Sequence, residues 1–159
     1  KIYEEIIPVA EEYNVIIGID TGLSAGWCSP LTVLKIVKGL GSDYLTVTPD
    51  FEAWRTPSED IPGFFIETPG IEKTEGLSID VFEDCLPYSP LIHAKFLSFD
   101  KKGEEPNFPI AEMMSLVKKS NREHTFVIEY EGWIPDINPH LDPATETKKG
   151  IDLLKRYLV

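Results

Sequence analysis

Two spacings of apolar residues alternate along this chain. In residues 2–13, Ile2, Ile6, Val9, Ala10 and Tyr13 recur at helical intervals, with Glu4, Glu5, Glu11 and Glu12 elsewhere. The run VIIGI at 15–19 is almost continuously apolar and predicts a strand buried on both faces. After a loop, Ser29 is placed to cap a helix, Pro30 suits its first turn, and Gly41 can end it. The segment YLTVT at 44–48 predicts the next strand. Residues 51–74 hold Pro57, Pro62, Gly63, Pro69 and Gly70 and predict a long loop with a short helix.

Beyond that loop the alternation resumes. The chain predicts a short helix at 78–86 capped by Ser78, a strand at 90–96, a helix at 110–121, a strand at 125–130 and a closing helix at 144–158 with Asp142 as its cap. The order αβαβαβαβα lacks tight hairpin signals and predicts parallel strands joined by right-handed helical crossovers. Four such strands make either a small doubly wound sheet or half of a barrel. No G-x-G-x-x-G or G-x-x-x-x-G-K-[ST] motif points to a nucleotide. The length of 159 residues suits one domain, 1–159.

Alternation places chemistry at the strand ends. Side chains two apart share a face, which groups Ile16, Gly18 and Asp20, then Thr46, Thr48 and Asp50. The third strand groups Leu91, His93 and Lys95, and the fourth groups Val127, Glu129 and Glu131. Sites in parallel α/β folds form at these C-terminal ends. Two aspartates, a histidine and a glutamate suit Mn, Mg, Co, Fe or Zn. Gathered without a cation, three carboxylates would repel one another, and some would take up protons. Each residue has a plainer alternative. Asp20 and Asp50 fit turns or caps, His93 fits a hydrogen-bonded core position, and Glu129 fits an ion pair with Lys95. His124 stands at the opposite strand end and reads as structural. Trp133, Asp136 and His140 lie on the last loop, where they are placed to cover a site or simply to meet solvent.

Charge narrows the partners. Fifteen Lys and Arg against 27 Asp and Glu give a net charge of -12, which disfavours nucleic acid and is compatible with cations. No apolar run approaches the roughly 20 residues that span a bilayer. Cys28 and Cys85 form no metal or redox motif and read as packing or loop residues. With no secretory pattern, these thiols suggest a reducing, cytoplasmic location. The chain starts within a helix and without Met, which suggests a piece of something longer.

The segment PLIHAKF, followed about 33 residues later by VIEYEGW, resembles the last two strands of the sugar phosphate isomerase/epimerase family. The closing TKKGIDLLKRYL resembles that family's final helix. The resemblance implies a xylose-isomerase-like TIM barrel, with this chain supplying four consecutive β/α units, the C-terminal half of a (β/α)8 barrel. It also implies a divalent metal (Mn, Co, Mg or Zn) on Asp20, Asp50, His93 and Glu129. The family usually has Glu where Asp20 stands, and its epimerases often have a substrate-contacting His where Ala53 stands.

The activity thus implied is isomerisation or epimerisation of a ketose, aldose or related polyol through an enediolate. Glu129 and Asp20 would exchange the proton, and Lys95 would neutralise developing charge. A lyase or dehydratase on the same scaffold, or a non-catalytic binding subunit, are the alternatives. A half barrel has two open sheet edges, so the expected partners are a sugar and either a missing N-terminal half or a second half-barrel chain.

Overall fold

The computed structural model describes residues 1–22, 29–55, 77–132 and 139–159. Helices and strands alternate as α1 (Ile2–Tyr13), β1 (Ile17–Asp20), α2 (Pro30–Leu40), β2 (Leu45–Thr48), α3 (Ile79–Cys85), β3 (Leu91–Phe96), α4 (Ile110–Ser120), β4 (Thr125–Tyr130) and α5 (Pro143–Leu158). A 3-10 turn, Phe51–Trp54, follows β2. The foreseen stops and starts are in place. Ser29, Ser78 and Asp142 accept from backbone N–H groups at the starts of α2, α3 and α5, and Gly41 ends α2 at φ 62°. Cys28, Trp133, Asp136 and most of the proline-rich loop lie outside the described residues, and the short helix expected over 51–74 is represented among the described ones by the 3-10 turn.

The fold is mixed α/β with short parallel strands. β1 pairs with β2, and β3 pairs with β4, both in parallel. A parallel bridge between Asp50 and His93 joins the pairs, strengthened by His93 N–H donating to Pro49 O at 3.0 Å. The four strands therefore follow one another in chain order. Among the described residues, β1 and β4 have one strand neighbour each.

Packing explains which face is covered. Ile19, Leu45 and Val47 bury against Val33, Leu34 and Val37 of α2. Ile92, Ala94 and Phe96 bury against Met113, Met114 and Val117 of α4 and Leu153 and Leu154 of α5. α3 joins the two clusters, because Phe82 belongs to one and Cys85 to the other. Burial pushes the Cys85 thiol up to about 12, so it is an inert packing group.

The run at 15–19 departs from its expected strand. β1 begins only at Ile17, and Val15 and Ile16 are 54% and 56% exposed. Gly18 and Asp20 are exposed as well. The run is covered on one face only, because Ile19 packs in the cluster with α2 while Gly18 and Asp20, on the other face, are exposed. The outer stripe of α1 (Ile2, Ile6, Val9, Tyr13) is exposed beside it.

The loop leaving β3 is pinned from within. Buried Glu105 accepts from Leu97 N–H at 2.7 Å, Ser98 N–H at 3.0 Å and Asn107 N–H at 2.8 Å. Burial raises its pKa, and these donors oppose the rise. Glu105→Ala strips three backbone donors of their acceptor, at about 1–3 kcal/mol for each one left buried and unsatisfied. The variant should lose roughly 3 kcal/mol or more in urea unfolding. A loss below about 1 kcal/mol would show that the donors find water instead.

Candidate metal centre

Backbone hydrogen bonds bring the strand ends together before any side chain acts. Asp20 closes β1 opposite Thr48. Thr21 N–H donates to Thr48 O at 3.0 Å, and the Thr21 hydroxyl accepts from Asp50 N–H at 3.1 Å. Asp50 bridges to His93. Lys95 lies opposite Glu129 in the β3–β4 register, and Glu131 N–H donates to Phe96 O at 2.9 Å. Gly18 is required beneath this end, since a Cβ there would come within 2.4 Å of Thr48 Oγ1.

Asp20, Asp50 and His93 each offer one ligating atom, and all three atoms lie within 4.8 Å of one another. His93 Nδ1 is 3.3 Å from Asp20 Oδ1 and 3.5 Å from Glu129 Oε1. It is shielded from solvent yet makes no hydrogen bond among the described residues. A buried polar atom left so costs about 1–3 kcal/mol. An imidazole nitrogen facing carboxylates is a donor set that suits a divalent cation.

Beside the trio, the ammonium of buried Lys95 is surrounded by acids. Its Nζ is 3.0 Å from Glu52 Oε2, 3.2 Å from Asp50 Oδ2, 3.2 Å from Glu131 Oε2 and 3.9 Å from Glu129 Oε2. Burial works against the Lys95 charge, but Asp50, Glu52 and Glu131 outweigh it and hold its pKa well above the usual range. For the Asp50–Lys95 pair the attraction is about 5 kcal/mol before desolvation, at an effective dielectric of about 20. Burial raises Asp50 to about 6, against the Glu52 backbone donor and Lys95, which stabilise its charge. Asp50 Oδ1 accepts from Glu52 N–H at 2.8 Å.

The structure thus gathers Asp20, Asp50 and His93. The short Asp20 arm reaches the histidine despite the missing methylene. Glu129 stands next to His93 but outside the trio. Lys95 is turned into the carboxylates, and Glu129 is the farthest of its four acidic neighbours. Ala53 lies buried in the 3-10 turn, among the core residues. The sequence reading did not single out Glu52 or Thr21, and it noted Glu131 only as sharing a face. The Asp-x-Glu spacing at 50–52 was the available signal, because a turn after Asp50 swings Glu52 back. His124 is hydrogen-bonded at both nitrogens, to Ser89 O and Ser120 Oγ, beside a hollow of about 230 Å³ at the other strand end. His140 is exposed. The centre opens into a cleft of about 500 Å³ that reaches from Asp50 and Lys95 along β1 to Tyr3.

No family model matches the chain. Over 55 residues it is 31% identical to the C-glycoside deglycosidase alpha subunit of Microbacterium trichothecenolyticum and 29% identical to that of Arthrobacter globiformis. Each match covers 35% of this chain and 15% of the relative, so only a small part of those proteins is represented. Among the described residues, no helix is long and apolar enough to cross a membrane.

The tie between the first two aspartates is testable. Thr21→Val removes the acceptor of the buried Asp50 N–H and should cost about 1–3 kcal/mol, while Thr21→Ser should restore most of it. Equal stability of the Val and Ser variants in thermal unfolding would remove this bond from the account.

Proposed function

We propose that this chain carries the divalent-metal centre of a sugar-processing enzyme, with isomerisation or epimerisation as its reaction. The observation behind this reading is the solvent-shielded Nδ1 of His93, without a hydrogen-bond partner among the described residues and facing Asp20, Asp50 and Glu129. When bound by these four residues, a divalent ion (Mn, Co, Mg or Zn) would supply Lewis acidity toward a carbonyl and an adjacent hydroxyl. Asp20 and Glu129, whose side chains are 59% and 32% exposed, are accessible to a substrate and can move its proton between neighbouring carbons. Asp50 is buried and fixed by Glu52 N–H and Lys95, so it holds geometry and exchanges no substrate proton. Lys95 supplies positive charge beside the developing oxyanion.

The similarity to sugar-processing subunits supports a sugar as substrate. A second reading keeps the same scaffold and lets the enediolate expel a β-substituent, as in a lyase or dehydratase, instead of being reprotonated. A non-catalytic binding subunit requires neither the metal nor proton exchange. In either enzymatic reading the four β/α units form the C-terminal half of a TIM barrel. The open edges of β1 and β4 are then completed by an N-terminal half or by a second half-barrel chain. The exposed α1 stripe beside β1 is the surface that such a completion would cover.

Elemental analysis after incubation with Mn, Co, Mg or Zn should find about one ion per chain, lost in His93→Ala and weakened in Glu129→Gln. Ketoses and aldoses incubated with the loaded protein in D₂O should gain deuterium next to the carbonyl. A loaded chain that exchanges no proton with any of them would leave the binding-subunit reading, and a chain that takes up no ion would end the metal reading.

Acidity provides an independent check. In the free protein Asp50 titrates at about 6, so protons compete with a cation for it below that value. Affinity for Mn²⁺ should be flat above about pH 7 and fall steadily below 6, by about tenfold per pH unit for one displaced proton. Calorimetric titrations at pH 5, 6 and 7.5 would measure this, and equal affinity at all three would exclude Asp50 as a ligand.

A further inference from the structure

Two carboxylates in the centre face two ways. Glu129 has Oε1 at 3.5 Å from His93 Nδ1 and Oε2 at 3.9 Å from Lys95 Nζ. Asp50 belongs to the trio with Asp20 and His93, and its Oδ2 is 3.2 Å from the same Nζ. Carboxylates that straddle two positions in this way are the usual bridges of binuclear centres, whose ions stand roughly 3.5–4 Å apart. Here Lys95 fills the second position. Its ammonium lies among oxygens of Asp50, Glu52, Glu129 and Glu131, an all-carboxylate shell of the kind that hard divalent cations take. The side chain reaches that place from within β3 and is buried, so this cation cannot dissociate.

We propose that Lys95 is a built-in substitute for a second metal ion, and that it limits the centre to a single divalent ion. The inference rests on the metal reading of Asp20, Asp50, His93 and Glu129 and adds the stoichiometry of that site. Glu52 and Glu131 are positioning residues in it. They hold the ammonium on the side of Asp50 and Glu129 away from His93, which leaves the His93 side open for the ion. An ammonium carries one charge and no vacant orbital. The second position therefore stabilises charge without binding a substrate oxygen as a Lewis acid.

The test is the number of Mn²⁺ ions bound by the full chain, counted by calorimetry and elemental analysis. The parent should bind one, even with Mn²⁺ in hundredfold excess. Lys95→Ala vacates the second position and should bind two, with the exchange-coupled electron paramagnetic resonance spectrum of a close Mn pair. Lys95→Ala combined with Glu131→Gln should return to one. Should Lys95→Ala not fold on its own, it is refolded in Mn²⁺. Recovery with two ions supports the inference. Recovery with one ion overturns it, and so does failure to refold at any Mn²⁺ concentration, because a second ion should replace the lost charge. A parent that binds no Mn²⁺ refutes the metal reading itself, an outcome visible before any variant is made.

Discussion

One ammonium among four carboxylates is the interaction on which the rest of this centre depends. Asp20, Asp50, Glu52, Glu129 and Glu131 converge on His93 and Lys95. Acids at these distances raise one another's pKa unless positive charge is placed between them. Lys95 meets part of that demand, and it does so from inside the sheet, where its aliphatic stem is buried and its position is not adjustable. Burial still raises Asp50 to about 6. The remaining demand is on the His93 side, where a shielded nitrogen has no hydrogen-bond partner among the described residues. That imbalance is the physical basis of the proposal that a divalent ion binds there and not beside Lys95.

The fold meets this demand with little besides backbone. Parallel pairing puts all four strand ends at one edge, and the bonds through Thr21, Asp50 and Pro49 set their spacing. Glu105 steadies the exit from β3 from behind. The helices cover the face of the sheet that carries Ile19, Val47, Ile92 and Phe96. The opposite face, left to the polar strand ends, opens into the cleft along β1. Asp20 and Asp50 line that cleft, and Asp20 and Glu129 are more exposed than Asp50, the difference on which the proposed division between proton exchange and ligation rests.

Most elements were legible because local chemistry encodes them. Ser29, Ser78, Asp142 and Gly41 mark ends through bonds or conformations formed within a few residues. Period-2 alternation placed Asp20, His93, Lys95 and Glu129 on shared faces without knowledge of their neighbours. The alternation also misled once. VIIGI is apolar enough for two buried faces, yet burial depends on what packs against a strand, and among the described residues α2 covers the face of Ile19 while that of Gly18 and Asp20 is exposed. The ion pair expected between Glu129 and Lys95 was similarly incomplete, because Lys95 reaches closer acids that come from other segments.

Sequence by itself determined the alternating α/β order, the parallel strands and the identity of the residues at their C-terminal ends, since period, caps and side-chain type are properties of short stretches. Only the tertiary structure decided which of those residues meet. The partners of Lys95 are 43 to 45 positions before it and 34 to 36 after it. Whether an ammonium answers one carboxylate or four depends on strand register and on a turn at 51–54 that brings Glu52 back over the sheet. Those are distances of a few ångströms set by packing, and no pattern within one segment carries them.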